Sequence, residues 1–453
     1  MAFAILTIFT VLIFLQSIIS GIRIVKIGHV LSEHLKTLKR GFYAPENSFP
    51  NIILIVPVFR EEKILKKALQ NFSSLQYPSK KLKIVIVTTE REFEHGPIYP
   101  NSVEKTRTEI PILNTMCGYE KFIHIHYPLK NGVKSDQLNY AITELERTHH
   151  TFFSERTYIG IYDIDSRVSK DTLMFLASDS INNEFPDVYQ QPSLYFNNFR
   201  SHKNLNGFLS NSFSFIQTAY ALSYETYNFL KQSTLIKTNA PFFRYKMRYC
   251  IGHGLFVRWP YLKRLNLFPT PIEDTRLGHI ISYLKEDIRI LPVFDNAGVA
   301  KGIWESIMQT STWFLGEALF VEDLKIARKI KPIRGFFGFW LIVYKTYRNA
   351  LWILKGPMFL TLLILFFITG HFLLAGAIIF SVFFPILSFC ITAKIYRTKT
   401  EETFYKFKIR DIFLVLFIPI EFILMSLGPA MGFFRFCMWR IIKKQPILYR
   451  TEK

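Results

Sequence analysis

Cysteine is scarce in this chain: there are four in 453 residues, Cys117, Cys250, Cys390 and Cys437, with no short paired spacing. That excludes a disulfide framework and a cysteine-based zinc site. Acidic residues are also few, 35 against 56 Lys and Arg, which leaves a formal charge of +21. Nucleic acid is the first partner such a charge brings to mind, but the basic residues border apolar stretches instead. Arg23, Lys26, Lys36, Lys39 and Arg40 follow the first stretch, and Lys394, Arg397 and Lys399 follow the third. That placement fits anionic lipid headgroups and cytoplasmic retention, so no nucleic acid is expected. No basic residue precedes the first apolar run, residues 2–20. A cleaved signal peptide would carry one there, so the run predicts a retained anchor with its N-terminus outside.

What the chain has in excess is apolar surface. Hydrophobic residues make up 49%, 45 of them Phe, and the mean hydropathy is positive. They gather at the two ends, as membrane spans do. The order this predicts starts with an N-terminal anchor (1–22), a basic juxtamembrane linker (23–49) and an α/β domain (50–330). An interfacial amphipathic helix (331–350) and a transmembrane hairpin (351–393) follow, then a basic cytoplasmic loop (394–411). A transmembrane or re-entrant segment (412–437), interrupted at Gly428-Pro429, and a basic tail (438–453) close the chain. No span carries a clear buried charge, which speaks against a transporter.

Within 50–330, NIILIVPVF (51–59) is an apolar run that contains Pro57, and EEKILKKALQNF (61–72) has helical spacing. KLKIVIVTT (81–89), KFIHIHYP (121–128) and YIGIYDID (158–165) read as further strands. Strands alternating with helices predict a mostly parallel sheet that binds its ligands beyond the carboxyl ends of the strands.

The polar motifs begin at those ends or lie in the second half of the domain. Asp163 and Asp165 would share a face if the strand ran through both. Two carboxylates about 6–7 Å apart along a strand hold one divalent cation, Mg²⁺ or Mn²⁺, against a diphosphate. A strand end followed by an Asx turn gives the same letters. Glu273 and Asp274 open a helical stretch, where the helix dipole alone favours acids. A partly buried Asp274 would also serve as general base toward a hydroxyl. Gly252-His253-Gly254 lies between the two acidic sites. Its glycines permit close backbone approach to a ligand, and His253 either lines an acceptor site or is a structural histidine. KNGVKSDQLNYAI (130–142) turns at Asn131-Gly132 and enters a helix from which Lys134 would meet a phosphate.

In this order the motifs resemble the inverting nucleotide-sugar glycosyltransferase family typified by cellulose synthase, hyaluronan synthase and dolichol-phosphate-mannose synthase. The resemblance covers about residues 50–320. IVPVFREE (55–62) is similar to the family's Pro-Val-x-x-x-Glu, and GVKSDQLNYA (132–141) to its Gly-Lys-x-x-Ala-Leu-Asn, with Lys134 and Asn139 in register. DID (163–165) resembles Asp-x-Asp, GHG (252–254) the glycine-rich acceptor segment, EDTRLG (273–278) Glu-Asp-x-x-Leu-Gly, and QTSTWFLG (309–316) Gln-x-x-Arg-Trp. The resemblance implies a GT-A type nucleotide-sugar-binding domain with a mostly parallel sheet. Pro57, Glu61, Lys134 and Asp163 would bind the nucleotide and donor, and Asp163 with Asp165 the Mg²⁺ or Mn²⁺. Asp274 would be the base, Gly252, His253, Gly254 and Glu273 would meet the acceptor, and Gln309 and Trp313 would close over the donor.

The implied reaction transfers a hexose from a UDP- or GDP-sugar to a lipid-linked or membrane-proximal glycan acceptor. The catalytic domain would be cytoplasmic at the plasma membrane, beside other proteins of envelope polysaccharide biosynthesis. Two departures stand out. VTTERE (87–92) offers Thr89 or Glu90 where the family has Asp, and Thr312 replaces the family's Arg. Thr lacks that cation and its fork, which favours single addition over a processive polysaccharide synthase. A non-catalytic scaffold would rest on Thr88, Thr89 and Thr312 alone.

Overall fold

The computed structural model describes residues 2–40, 45–94, 101–199, 205–400 and 411–442. Its sheet grows from the apolar runs. Strands β1 (Asn51–Pro57), β2 (Leu82–Thr89), β3 (Phe122–Tyr127) and β4 (Thr157–Ile161) pair in parallel in the order β3-β2-β1-β4. β1, β2 and β4 are buried on both faces, which is why they read as near-continuous Val, Ile and Leu. β3 lies at the edge and is only half-buried.

Beyond β4 the sheet continues with shorter strands: β5 (Val188–Gln190), β7 (Leu255–Arg258) and β8 (Arg289–Ile290), giving the full order β3-β2-β1-β4-β7-β5-β8. Strands β6 (Ser193–Leu194) and β9 (Asp295–Asn296) form a separate parallel pair. β7 alone runs antiparallel, between β4 and β5. Its direction matters for the site: Leu255 stands opposite Ile161, so the start of β7 meets the end of β4. Helices Leu65–Ser73, Ser102–Cys117 and Lys134–Thr148 connect the parallel strands. The last buries Leu138, Ala141, Ile142 and Leu145 at helical spacing.

The first helix runs unbroken over Ala2–Arg40, so no separate linker begins at residue 23. Ile24, Ile27, Leu31, Leu35 and Leu38 form a buried stripe that carries it past the apolar run. His34 reaches Asp179, which also accepts from Tyr189 and Arg289 and so ties this extension to the α/β domain. Gly21 and Gly28 seat the helix closely on Phe384, Ser388 and Thr392 of the helix Phe372–Thr400.

The amphipathic segment and the first half of the hairpin are likewise one helix, Gly335–Ile368. Its early aromatics pack on protein: Phe337 meets Tyr245 edge-on, and the Trp340 indole donates to the Tyr245 carbonyl at 3.0 Å. The chain reverses at Gly370, where φ is +73°. The final segment breaks into Asp411–Leu416, Ile418–Leu424 and Leu427–Ile442, with the last break just before Gly428-Pro429. Gly428 and Gly432 bring Leu427–Ile442 against Thr310, Ser311 and Phe314 of the helix Ile303–Ala318. Among the described residues four helices are long and apolar enough to cross a membrane: Leu6–Leu38, Gly335–Ile368, Phe372–Tyr396 and Ile418–Ile442. The last contains Glu421, 1% exposed, a buried acid that averaging over apolar neighbours conceals. The loop 394–411 and the tail 438–453 fall largely outside the described residues.

Candidate active site

β4 ends at Ile161, and the chain turns at Asp163, whose carbonyl accepts the Ser166 N–H at 3.0 Å. The strand therefore does not run through both aspartates, and they are presented by the turn and not by a shared strand face. Lys134, at the start of its helix, donates from Nζ to Asp163 Oδ1 at 2.8 Å and to the Gly252 carbonyl at 2.8 Å, and stands 3.4 Å from Glu273 Oε1. Asp274 Oδ2 lies beside Gly252, while its Oδ1 accepts the Thr275 N–H at 2.7 Å. Residues from four separate segments thus meet at the carboxyl end of β4.

The charges are strongly coupled. Burial works against the Lys134 ammonium, but Asp163, Glu273 and Asp274 outweigh it and hold the lysine above its ordinary pKa. Burial pushes the Glu273 carboxyl up to about 7; Lys134 draws it down and Asp274 adds to the rise. Burial raises Asp274 as well, against the pull of Lys134 and the Thr275 N–H. A half-buried carboxyl raised in this way is a stronger base than an ordinary carboxylate.

Backbone strain aims the acidic pair. Ile272, immediately before it, has φ +60° and ψ 68°, a left-handed conformation that a β-branched residue holds at a cost of about 1–3 kcal/mol. A Cβ on Gly316 would come within 2.7 Å of Ile272 Cγ2, so the helix Ile303–Ala318 lies against that turn. Further along, Arg276 and His279 both grip the buried Asp323, at 2.7 and 2.9 Å.

Gly252 is small for a reason visible in the distances. A Cβ there would stand 2.8 Å from Asp274 Oδ2 and 3.1 Å from Lys134 Nζ. Gly252→Ala is expected to displace both groups and lower turnover about 100-fold, with an unfolding midpoint close to wild type. Steady-state assay beside a thermal melt checks this.

The remaining sequence candidates distribute around this centre. Asp165 Oδ2 accepts the Gly298 N–H at 3.2 Å, just past β9. His253 points inward, 6% exposed, with Nδ1 2.7 Å from Asp295 Oδ2, and so acts as a support behind the loop. Glu273, expected at the acceptor, is also turned inward toward Lys134. The Gly254 N–H donates to the Ile161 carbonyl at 2.8 Å, and its φ of +65° together with the nearby Gln191 leaves no place for a side chain.

Pro57 ends β1, and Glu61 follows with its N–H donating to Ser102 Oγ at 2.8 Å. Thr89 is buried at the end of β2, and Glu90 Oε2 lies 3.1 Å from His126 Nε2. Gln309 and Trp313 lie on the helix Ile303–Ala318. Gln309 Oε1 is buried without a hydrogen-bond partner, and Trp313 packs against an apolar cluster that includes Tyr195, whose ring meets His253 edge-on.

Sequence reasoning missed two carboxylates. Glu92 accepts the Arg60 N–H at 2.8 Å and the Ser102 N–H at 3.0 Å, clamping the ends of β1 and β2 to the next helix. Asp295 orients His253. Neither sits in a pattern that spacing reveals. Asn139 is structural: its amide bonds both ways with the Phe268 backbone.

Asp163 and Asp165 offer hard carboxylate oxygens from one turn, and among the described residues no group of three or more His, Cys, Asp or Glu converges. That donor set fits a divalent cation whose other ligands are substrate phosphate and water.

No protein-family model and no curated protein sequence matches the chain. Among solved structures it is similar to the mannosyltransferase PcManGT from Pyrobaculum calidifontis in complex with GDP-Man and Mn²⁺. That match has 13% identity over 94% of this chain and 99% of that one, with a TM-score of 0.46. It is also similar to S. aureus TarS 1–349, at 15% identity over 79% of this chain and 94% of that one, with a TM-score of 0.37. For the same protein in complex with UDP-GlcNAc the TM-score is 0.34.

Proposed function

We propose that this protein is a membrane-bound inverting glycosyltransferase that moves a hexose from a nucleoside-diphosphate sugar to a lipid-linked or membrane-proximal acceptor. The observation that carries the reading is the meeting of Lys134, Asp163, the Gly252 carbonyl and Glu273-Asp274 at the carboxyl end of a parallel strand. Sheets of this kind bind their ligands there. The four apolar helices support the membrane assignment, with the α/β domain on the cytoplasmic face by the charge rule.

Asp274 accepts the proton of the acceptor hydroxyl. The acceptor oxygen then forms its bond to the anomeric carbon as the bond to the diphosphate breaks from the opposite face, and the leaving electron pair stays on the diphosphate. Lys134 opposes the rise that burial imposes on the Asp274 carboxyl, and Glu273 keeps Lys134 in place. A Mg²⁺ or Mn²⁺ held by Asp163 and Asp165 would supply charge neutralisation at the diphosphate. The unpartnered Gln309 Oε1 provides an acceptor for a sugar hydroxyl. Thr312 spends its hydroxyl on the Met308 carbonyl of its own helix, which agrees with single addition over chain extension.

The test is turnover by the detergent-solubilised protein over UDP- and GDP-sugars with Mn²⁺ or Mg²⁺ and a membrane lipid extract, read by product mass. One sugar added with release of nucleoside diphosphate supports the proposal. A ladder of products would replace it with a synthase, and donor binding without turnover with a scaffold.

The raised carboxyls also predict opposite pH trends. Turnover rises with pH as the Asp274 carboxyl, raised by burial, loses its proton. Stability falls as Glu273 does the same. Between the ordinary carboxylate range and about 7 the folded chain still holds protons that the unfolded chain has released, so raising the pH favours unfolding. Rate and melting midpoint measured from pH 5 to 8 check both signs.

A further inference from the structure

A second charged cluster is made of cations. Arg23, Lys231, Lys246 and Arg348 are all half-buried, and among the described residues no carboxylate lies within 4.0 Å of any of them. Tyrosine rings face three of them, and Lys231 stands one turn beyond Tyr227 on the helix Tyr227–Lys237. Arg23 Cζ is 4.5 Å from the centre of the Tyr227 ring, Arg348 Cζ is 4.2 Å from that of Tyr224, and Lys246 Nζ is 5.9 Å from that of Tyr344. The Tyr224 and Tyr344 hydroxyls are bonded to each other at 3.1 Å, and Arg348 reaches the Tyr220 hydroxyl. Arg23 Nε is buried with no hydrogen-bond partner. Burial and the three neighbouring cations draw the Lys246 ammonium down to about 8. Ring faces offset part of the desolvation of Arg23, Lys246 and Arg348, but not the repulsion among four like charges. An anion would.

The level of the cluster identifies the anion. The first candidate span, Leu6–Leu38, would extend about 50 Å at ~1.5 Å per residue, well beyond a hydrocarbon core of about 30 Å. Its apolar run ends near residue 20, so Arg23 marks the boundary where the chain enters the α/β domain. Arg348 precedes the apolar run 353–370, where the chain leaves that domain. Among the described residues no helix between them is long and apolar enough to cross a membrane, so both arginines lie on the same side. Lys231 and Lys246 come from the domain itself, and tyrosines are the residues that sit at headgroup depth.

We propose that Arg23, Lys231, Lys246 and Arg348 form a binding site for the phosphate of an anionic membrane lipid. Arginine and lysine donors on a tyrosine-lined wall match a phosphate headgroup in chemistry and in depth. The proposal does not depend on the transferase reading.

The test reads the site directly. Purified full-length protein in dodecyl maltoside is acylated at pH 8 with an amine-reactive ester, and modification of Lys246 is compared by mass spectrometry with that of the exposed Lys66. Dioleoyl phosphatidic acid in the micelle is expected to protect Lys246 about fivefold or more while Lys66 is unchanged. Dioleoyl phosphatidylcholine is expected to protect far less. Inorganic phosphate protecting as well as the lipid would assign the site to a free phosphate group. Arg348→Gln is expected to remove most of the protection with donor binding and the melting midpoint kept; if that variant does not fold, Arg23→Gln takes its place. Absence of protection in the wild type, equal protection by phosphatidylcholine, or full protection in the folded variant overturns the proposal. Failure of sugar transfer with lipid protection intact would count against the proposed function alone.

Discussion

Asp274→Asn is expected to lower turnover by about 10²–10⁴ while leaving donor affinity within a few-fold of wild type. The substitution keeps the shape of the side chain, and its amide oxygen can still accept the Thr275 N–H that fixes Asp274 Oδ1 at 2.7 Å. What it removes is the ability to take a proton. It also removes one of the three carboxylates around Lys134, and Asp274 is one of the groups that push Glu273 upward. The Glu273 carboxyl should therefore move down toward its ordinary value, and the melting midpoint should hold or rise. This combination separates a base from a structural acid. A structural acid would lose stability when neutralised, with turnover falling only in proportion to the unfolded fraction. Retention of more than about a tenth of wild-type turnover by a folded Asp274→Asn protein would remove Asp274 from the base role. Glu273→Gln provides the contrast. Glu273 is almost wholly buried and faces Lys134, so its loss should disturb the position of Lys134 before it touches the proton transfer.

Much of this centre was legible in the sequence because its parts sit where regular patterns end. β1, β2 and β4 are apolar runs with turn or polar residues after them, and the residues following such runs in a parallel sheet face the ligand side. The motif order placed Lys134, Asp163, Gly252 and Asp274 together; in the structure Lys134 bonds to Asp163 and the Gly252 carbonyl, and Asp274 lies beside Gly252. Geometry at single residues was not legible. Nothing in the letters Ile272-Glu273-Asp274 announces a left-handed isoleucine, because β-branched residues avoid that region and no pattern forecasts the exception. Asp163 and Asp165 alternate in sequence as strand residues would, but the Ser166 N–H closes a turn between them. β7 has only four residues, too few for periodicity to register, although it decides that Gly252-His253-Gly254 lies beside β4.

The membrane part failed in a different way. Charge and hydropathy mark where a helix leaves lipid, not where its hydrogen bonding stops. Expected boundaries near residues 22 and 350 therefore fall inside the helices Ala2–Arg40 and Gly335–Ile368. Arg23, one of the cations that mark such a boundary in the sequence, also has a buried Nε with no hydrogen-bond partner.

Lys134→Met should have the largest combined effect on stability and activity, because one ammonium answers three carboxylates. Removing one partner of a buried ion pair costs about 3–5 kcal/mol, mostly from the charge left behind. Lys134 and Asp163 are 31% and 29% exposed, so solvent screens part of that loss, and about 2–3 kcal/mol is the expected cost at pH 8. The melting midpoint should fall by on the order of 5 °C.

The pH dependence gives the sharper check. Lys134 lowers the pKa of both Glu273 and Asp274, so without it both carboxyls rise further above their unfolded values. A carboxyl with a raised folded pKa loses stability as pH climbs from the unfolded value to the folded one, and keeps it below both. The penalty of Lys134→Met should thus be small at pH 5, where Glu273 is protonated with or without the lysine, and full at pH 8. Turnover should fall at every pH at which the variant folds, since the carboxyl that must accept the proton ionises less readily and the Gly252 carbonyl has lost its donor. Lys134→Arg would restore charge but not the compact ammonium that reaches Asp163 Oδ1 and the Gly252 carbonyl at once. It should recover most of the midpoint and little of the rate. Midpoints of all three proteins at pH 5 and pH 8 decide the matter, because a penalty independent of pH would mean that Lys134 acts through packing and not through charge.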